Sequence, residues 1–308
     1  MTCCKCRVLT KTIFNLASEF MIYITGSLNM DMTIEADRIP TEGETLTGRN
    51  FITNCGGKGA NQAVAAAKLG GKVAMCGVVG NDCFGVTLKQ NLAKYGVDVS
   101  HVATDNDVSC GIAVIVVSNG NNRIILDKGA NGKLSKAQID EFLSDAKAGD
   151  IYLTQLENPV DVVGYGLMAA KQKGMFTVLN PAPANTDVTK YLQYVDLIVP
   201  NETEAEMLGD KQFLLQSGAK RVVTTLGDKG YEIADNTGAC VYPCKRVDVV
   251  DTTAAGDTMC GGIAVGLSEG MTLQQACTFG SLAATLACTR RGAQQSVPSR
   301  DEVEYFGK

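Results

Sequence analysis

Histidine is almost missing from this 308-residue chain, which holds one, His101. A single imidazole argues against Ser-His-Asp and Cys-His nucleophilic sites and against His-rich zinc sites. If the protein is an enzyme, its base is a carboxylate or a lysine. Concentrated positive charge is missing too, because Lys+Arg 28 stands against Asp+Glu 33 for a net charge of -5. Nucleic-acid binding needs a basic face to displace counterions, so no nucleic-acid partner is expected. Long apolar runs are absent as well. Val8 to Phe20 is interrupted by Lys11 and Asn15, too short and polar to span a bilayer and without a clean signal-peptide core, so no membrane partner is expected. No internal repeat or low-complexity linker divides the chain.

What is present is an ordinary globular composition, 45% hydrophobic and 20% charged, at a length that buries a core without staples. Twelve cysteines are enough for a disulfide framework, yet Cys76, Cys110, Cys260, Cys277 and Cys288 sit in apolar runs as small hydrophobes, which points to a reducing, cytoplasmic setting. Cys3, Cys4 and Cys6 are the one tight cluster, and without a second ligand pair they are not read as a zinc site. Residues 1–20 read as an N-terminal extension: a tail, an upstream start or a targeting segment. Met21 precedes a convincing first strand at Ile22–Thr25, so residues 21–308 form the expected domain, and deleting 1–20 is expected to leave folding and activity nearly unchanged.

From Met21 onward, strand-like runs (Val73–Val79, Ile151–Gln155, Phe176–Leu179, Leu197–Val199, Arg221–Thr225) alternate with helical patterns at 60–69, 84–95, 135–147, 159–173, 256–267 and 272–287. The strands are apolar on both faces, as in a parallel sheet covered on each side by helices, so the expected fold class is α/β with a mostly parallel central sheet. Segments 31–51 and 111–127 break the rhythm with alternating or β-branched residues and a turn at Asn119–Asn122. They predict antiparallel strands forming a small lid.

Three segments carry candidate chemistry. Asp251-Thr252-Thr253-Ala254-Ala255-Gly256-Asp257-Thr258 follows a strand-like Val247–Val250 and opens a helix. Small residues there let backbone N–H groups approach an anion, phosphate by preference, at the positive end of the helix dipole. Asp257 in the first helical turn is either a general base beside that phosphate or a helix-capping carboxylate. Asn54 to Gln62 is a second glycine-rich turn, neither a Walker A loop nor a dinucleotide fingerprint. Its Lys58 and Asn61 offer donors suited to hydroxyls, though Gly-Gly turns before helices are common. Asn29 and Asp31 alternate to one side of an extended segment, as a grip on two sugar hydroxyls or as a polar turn.

The ordered series GSLNMD, PTEGET, GGKGANQA, QLE, NPAPA, PNETEAE, TLGDKG, DTTAAGDT and TRRGAQQSVP resembles the ribokinase branch of the ribokinase/PfkB carbohydrate kinases. The match runs from residue 21 to about 303. The resemblance implies a three-layer α/β/α fold with a β lid and ATP-dependent phosphorylation of ribose or a similar small sugar; another pentose, deoxyribose or a nucleoside is the alternative, and a non-catalytic sugar sensor a more distant one. It implies that Asn29, Asp31, Gly57, Lys58, Asn61 and Glu157 hold the sugar, that Asp257 is the base, and that Ala254, Ala255 and Gly256 form the anion hole. Asn201, Thr225, Gly227 and Gly230 would line the nucleotide pocket, and Asn201 with Glu204 would govern Mg²⁺ and phosphate. A monovalent cation, K⁺ by preference, would sit at Asp251, Thr253, Ala287, Arg290, Gly292 and Ser296, held largely by carbonyls. Segment 207–220 is short for the family and predicts a trimmed surface helix. Cys55 and Cys260 flank the sugar and anion-hole motifs, either as packing residues or as oxidation-sensitive thiols. Edge-like lid strands point to a homodimer through the lid.

Overall fold

The computed structural model describes residues 20–119 and 121–308. The extension and the cluster of Cys3, Cys4 and Cys6 lie outside the described residues, apart from Phe20. The Phe20 N–H donates to the Ser268 carbonyl at 3.3 Å and its ring lies against Gly149, so this residue is part of the packed body.

In chain order the first half runs β1 (Ile22–Thr25), β2 (Asn29–Glu35), β3 (Arg49–Gly56), α1 (Lys58–Lys68), β4 (Val73–Gly80), α2 (Cys83–Lys94), β5 (Asp98–Asp105), β6 (Gly111–Ser118), β7 (Asn121–Asp127) and α3 (Lys136–Phe142). The second continues with β8 (Ile151–Thr154), α4 (Val160–Gln172), β9 (Phe176–Leu179), β10 (Leu197–Ile198), α5 (Glu202–Met207), α6 (Asp210–Gln216) and β11 (Val222–Thr225). It closes with β12 (Tyr231–Asp235), β13 (Gly238–Tyr242), α7 (Ala255–Ser268), α8 (Leu273–Ala287) and α9 (Arg300–Gly307).

A nine-stranded sheet has the order β13-β12-β11-β10-β9-β8-β1-β4-β5, parallel from β11 to β5 and antiparallel at β12 and β13. Alternation along each strand builds two cores. Ile22 and Ile24 face Val64, Ile263 and Phe279 on the layer of α1, α7 and α8, while Tyr23 and Tyr152 face Phe142, Val163 and Leu192 on the layer of α3 and α4. This is the expected three-layer α/β/α fold. Strand order reverses around β1, which lies between β8 and β4, and such a switch point opens a crevice at the carboxyl ends of the strands.

The second sheet, β3-β2-β6-β7, is the lid. Its strands sit at 29–35 and 49–56 rather than across 31–51, and its centre is not antiparallel as expected: β2 and β6 pair in parallel from Asn29↔Gly111 to Glu35↔Val117. Each is half of an antiparallel hairpin, and the two hairpins meet along a seam whose connection runs through the main body. Two other expectations fail. Val247–Val250 is not a strand; Val249 and Val250 are exposed and no neighbouring strand pairs with them, so α7 is entered from an irregular strap. The pattern at 135–147 yields a helix only to Phe142. Within the short 207–220 segment one two-turn helix, α6, remains.

Candidate active site

Five motifs of the sequence, GSLNMD, QLE, NPAPA, PNETEAE and TLGDKG, fall at the carboxyl ends of the central strands, whereas PTEGET lies in the loop between the lid strands β2 and β3. β1 leads to Ser27 and Asn29, β8 to Glu157, β9 to Asn180, β10 to Asn201 and β11 to Thr225. The resulting cleft of about 190 Å³ is lined by Lys58, Asn180, Asn201, Glu204, Thr225, the Ala254–Asp257 turn and Cys260.

The end expected to hold a sugar is organised by Glu157, which is buried and accepts from the Ser27 hydroxyl, from Asn29 Nδ2 (3.3 Å) and from the Lys58 backbone N–H (3.2 Å). That last donor opens α1, so the carboxylate also faces a positive helix end. Asp31 lies across Gly56, where a Cβ would come within 2.1 Å of its carboxylate. Gly57, at φ 90°, brings the turn against the Asn29 backbone; a Cβ there would stand 2.7 Å from Asn29 N, so only glycine serves. Burial, then the charges of Glu157 and Asp257, push the Asp31 carboxyl up to about 7. For Lys58, burial disfavours the charge, but Asp257, Glu157 and Glu204 outweigh it and raise the pKa.

Asp257 is buried, and its two oxygens accept from side-chain amides: Gln62 Nε2 on Oδ1 at 2.9 Å and Asn61 Nδ2 on Oδ2 at 3.0 Å. The capping alternative therefore fails, because α7 has Ala254 as N-cap and no side-chain cap. Ala254 takes left-handed φ/ψ of 58° and 16°, a conformation that costs a non-glycine residue of order 1 kcal/mol and turns the strap sharply into the helix. Gly256 faces open space, so the first turn of α7 is accessible from the cleft. Asn61, expected on the sugar, is engaged by protein on both sides, donating to Asp257 and accepting from Gln294 Nε2 at 3.1 Å.

At the end expected to hold a nucleotide, Asn201 and Glu204 form a capping box on α5: Glu204 N donates to Asn201 Oδ1 (2.7 Å) and Asn201 N to Glu204 Oε2 (2.9 Å). Burial leads in raising the Glu204 pKa, with the Asn201 N–H and Lys58 opposing and Asp257 adding. Thr225 is bridged to Asn201 and lines the cleft, while Gly227 and Gly230, both with positive φ, form the adjacent turn outside its lining.

Of the expected cation ligands, Asp251, Thr253 and Gly292 come together: Asp251 Oδ1 accepts from Thr253 N (2.9 Å) and Oγ1 (2.6 Å), and Oδ2 from Gly292 N (2.9 Å). Burial opposes its charge, but these hydrogen bonds prevail and hold the Asp251 carboxyl below its ordinary value. The Cys288 carbonyl accepts from Asp251 N, tying the strap to the end of α8, where the Ala287 carbonyl accepts from Arg290 N. The Arg290 side chain points to Glu302, and Ser296 donates to the Ala293 carbonyl further along the loop. Among the described residues no group of three His, Cys, Asp or Glu side chains could hold a metal. The donors here are one carboxylate and backbone carbonyls, which suit a weakly charged, large cation.

Burial pushes the Cys260 thiol well above its ordinary value and raises Cys55, which favours the protonated thiol at both. Sequence reading missed Asn131. Its side chain accepts from Leu28 N (2.8 Å) and donates to Leu28 O (3.1 Å) and to Asn29 Oδ1 (2.7 Å), while Asn158 donates to its carbonyl (3.0 Å). It also missed Gln62 and Asn180, although both lie inside quoted motifs.

A model of pfkB family carbohydrate kinases matches residues 20–300. A ribokinase of Haemophilus influenzae is 39% identical over 296 residues, spanning 92% of this chain and 97% of that protein. A deoxyribokinase of Salmonella typhi is 35% identical over 299 residues, spanning 92% and 98%. The solved structure of Arabidopsis thaliana ribokinase complexed with ribose and ATP superposes with a TM-score of 0.83 at 31% identity, over 94% of this chain and 98% of that one. With most of its motifs gathered at one cleft and its length matched almost throughout, the chain belongs to the pfkB family of carbohydrate kinases.

Proposed function

We propose that this protein transfers the γ-phosphoryl group of ATP to the 5-hydroxyl of D-ribose, giving ribose 5-phosphate. The observation that carries the reading is Asp257, a buried carboxylate fixed on both oxygens at the first turn of α7, between the sugar residues and the cleft. Asp257 takes the hydroxyl proton as that oxygen bonds to the γ-phosphorus and the bond to the bridging oxygen of ADP breaks. The backbone N–H at Gly256, with the α7 dipole, stabilises charge on the transferring group, while the Ala255 N–H donates to the Thr252 carbonyl (3.2 Å) and shapes the turn, and Lys58 adds a fixed positive charge. Asn29, Asp31 and Glu157 orient the sugar, and Gly57 shapes their turn. Asn201 and Glu204, hard oxygen donors beside the cleft, would hold Mg²⁺ through its water shell, and that ion supplies neutralisation of the phosphate charge. Thr225, Gly227 and Gly230 flank the nucleotide.

A coupled assay of ATP turnover with ribose, 2-deoxyribose, fructose and adenosine tests the reading; turnover with ribose absent while another sugar reacts overturns it. The Salmonella relative favours 2-deoxyribose as the second reading, and the ratio of kcat/KM for the two sugars decides between them.

Asp31 grips hydroxyls best as a carboxylate. With its pKa at about 7, affinity for the sugar rises with pH through neutrality, since the ionised fraction grows about tenfold from roughly pH 6 to 8. Calorimetric titration of ribose checks this. The Asp31→Asn variant loses the dependence, and a flat wild-type profile removes the assignment.

The cluster of Asp251, Thr253 and the Ala287–Ser296 loop holds K⁺ beside the anion hole. Turnover then rises when K⁺ replaces a bulky organic cation at constant ionic strength, and an equal rate in both counts against the site.

The lid exposes Phe51 and Ile52 on β3 and Ile124 and Ile125 on β7, the last 74% exposed, and a second copy's lid covers them in a homodimer. Sedimentation shows the wild type as a dimer and Ile125→Asp as a monomer; a monomeric wild type excludes the interface. All nine described cysteines are free, in keeping with a reducing, cytoplasmic setting.

A further inference from the structure

One fully buried polar side chain at the base has no part in the steps above. Gln62 is 0% exposed, and its Nε2 donates to Asp257 Oδ1 at 2.9 Å and to Asn180 Oδ1 at 3.1 Å. Resting on the kinase reading above, we propose that Gln62 is the positioning residue for the base, its amide held one way round by a relay that starts at a backbone carbonyl.

An amide side chain fits its pocket in two orientations, and its partners decide between them. Here the decision begins at Val199, whose carbonyl accepts only and takes Asn180 Nδ2 at 2.9 Å. Asn180 must then turn Oδ1 toward Gln62. Gln62 answers with Nε2, which places its second amide hydrogen on Asp257 and leaves Oε1 to accept from Gln155 Nε2 at 2.5 Å. No step in the chain reverses without setting donor against donor or acceptor against acceptor, each a costly arrangement in a dry interior.

The consequence falls on Asp257. With Asn61 on Oδ2 and Gln62 on Oδ1, the plane of the carboxylate is pinned at both ends while each oxygen keeps a lone pair for the incoming hydroxyl. Every polar atom of Gln62 is engaged within the protein, so it makes no contact with the sugar and acts only through Asp257. Loss of the Gln62 amide frees the carboxylate to rotate out of line, and small misalignments at a reacting centre cost up to about 10² in rate.

The test is a kinetic double-mutant cycle on the full chain with ribose and ATP. Gln62→Met keeps the length and removes the donor; the expected result is kcat lower by roughly 10–100-fold with the ribose KM within about threefold. In an Asp257→Ala background the same change produces no further loss, because the group it serves is gone. An unchanged kcat, a loss confined to KM, or an equal proportional loss in the Asp257→Ala background overturns the proposal; the last is what a general packing defect gives. Should Gln62→Met fail to fold, Asn180→Leu leaves the Gln62 amide in place but without the acceptor that orients it. It is expected to lower kcat by about 3–10-fold in the Asp257 protein alone, and an unchanged kcat there overturns the proposal equally. Wild-type turnover, measured first across the sugars, tests the kinase reading, and the variant ratios are then taken with whichever sugar reacts.

Discussion

Asp257→Asn is expected to bind ribose and ATP and to turn over about 10²–10⁴ times more slowly than the wild type, the usual cost of losing a general base. The substitution keeps the shape of the side chain but not its polarity. Both Asp257 oxygens accept amide hydrogens, so an amide nitrogen placed there meets either Asn61 or Gln62 as donor against donor. A stability loss of roughly 1–3 kcal/mol therefore accompanies the kinetic one. The two effects separate by method: thermal unfolding reports the mismatch, and single-turnover phosphorylation with bound ribose reports the base. Near-normal turnover in a variant that melts early removes Asp257 from the catalytic role.

Asn131→Leu is expected to give the largest stability loss of any single polar change near the site. Asn131 is 1% exposed and satisfies both the N–H and the carbonyl of Leu28 while holding the Asn29 amide in place. Leucine of similar volume leaves three buried polar groups unpaired, at roughly 1–3 kcal/mol each. The expected result is a fall of about 3 kcal/mol or more in denaturant unfolding, with ribose affinity weakened in the protein that remains folded, since Asn29 is then held only by its Nδ2 bond to Glu157. A stable variant with normal ribose affinity shows that the hub is dispensable.

The layered body was legible because its signals are local. Apolar runs such as Val73–Val79 and the small-residue helix after Gly57 are set by their own sequence, and both formed close to the expected bounds. Pairing partners are a different matter. Nothing within 111–118 says that β6 lies parallel to β2, because that choice is made by where the intervening chain returns. Val247–Val250 reads as a strand by composition and fails for want of a neighbour to pair with, as the sheet already ends at β13. At the site, residues in glycine-rich turns announce themselves, whereas Asn131 sits in an unremarkable polar turn and meets Leu28 across 103 positions of sequence. Asn61 shows the converse. Its motif marks it as important, but whether it faces a sugar or the base is settled by Gln294, far along the chain.

All four lid strands are rooted along one line. β2 begins at Asn29, β3 ends at its partner Gly56, β6 begins at Gly111 beside Asn29, and β7 ends at Asp127 opposite Ile112. The lid is thus a cantilevered plate, clamped at the row that runs through Asn29, Gly56 and Gly111, with its far rim directed away from that row. Seven residues of β2 at about 3.3 Å each put that rim about 20 Å out, so a tilt of about 10° carries it some 3–4 Å while the clamped row scarcely moves. Rocking of such a plate would open a path for solvent at the rim without disturbing the alignment of Asn29 and Asp31, and lengthening or shortening the rim loops would change the sweep and not the grip.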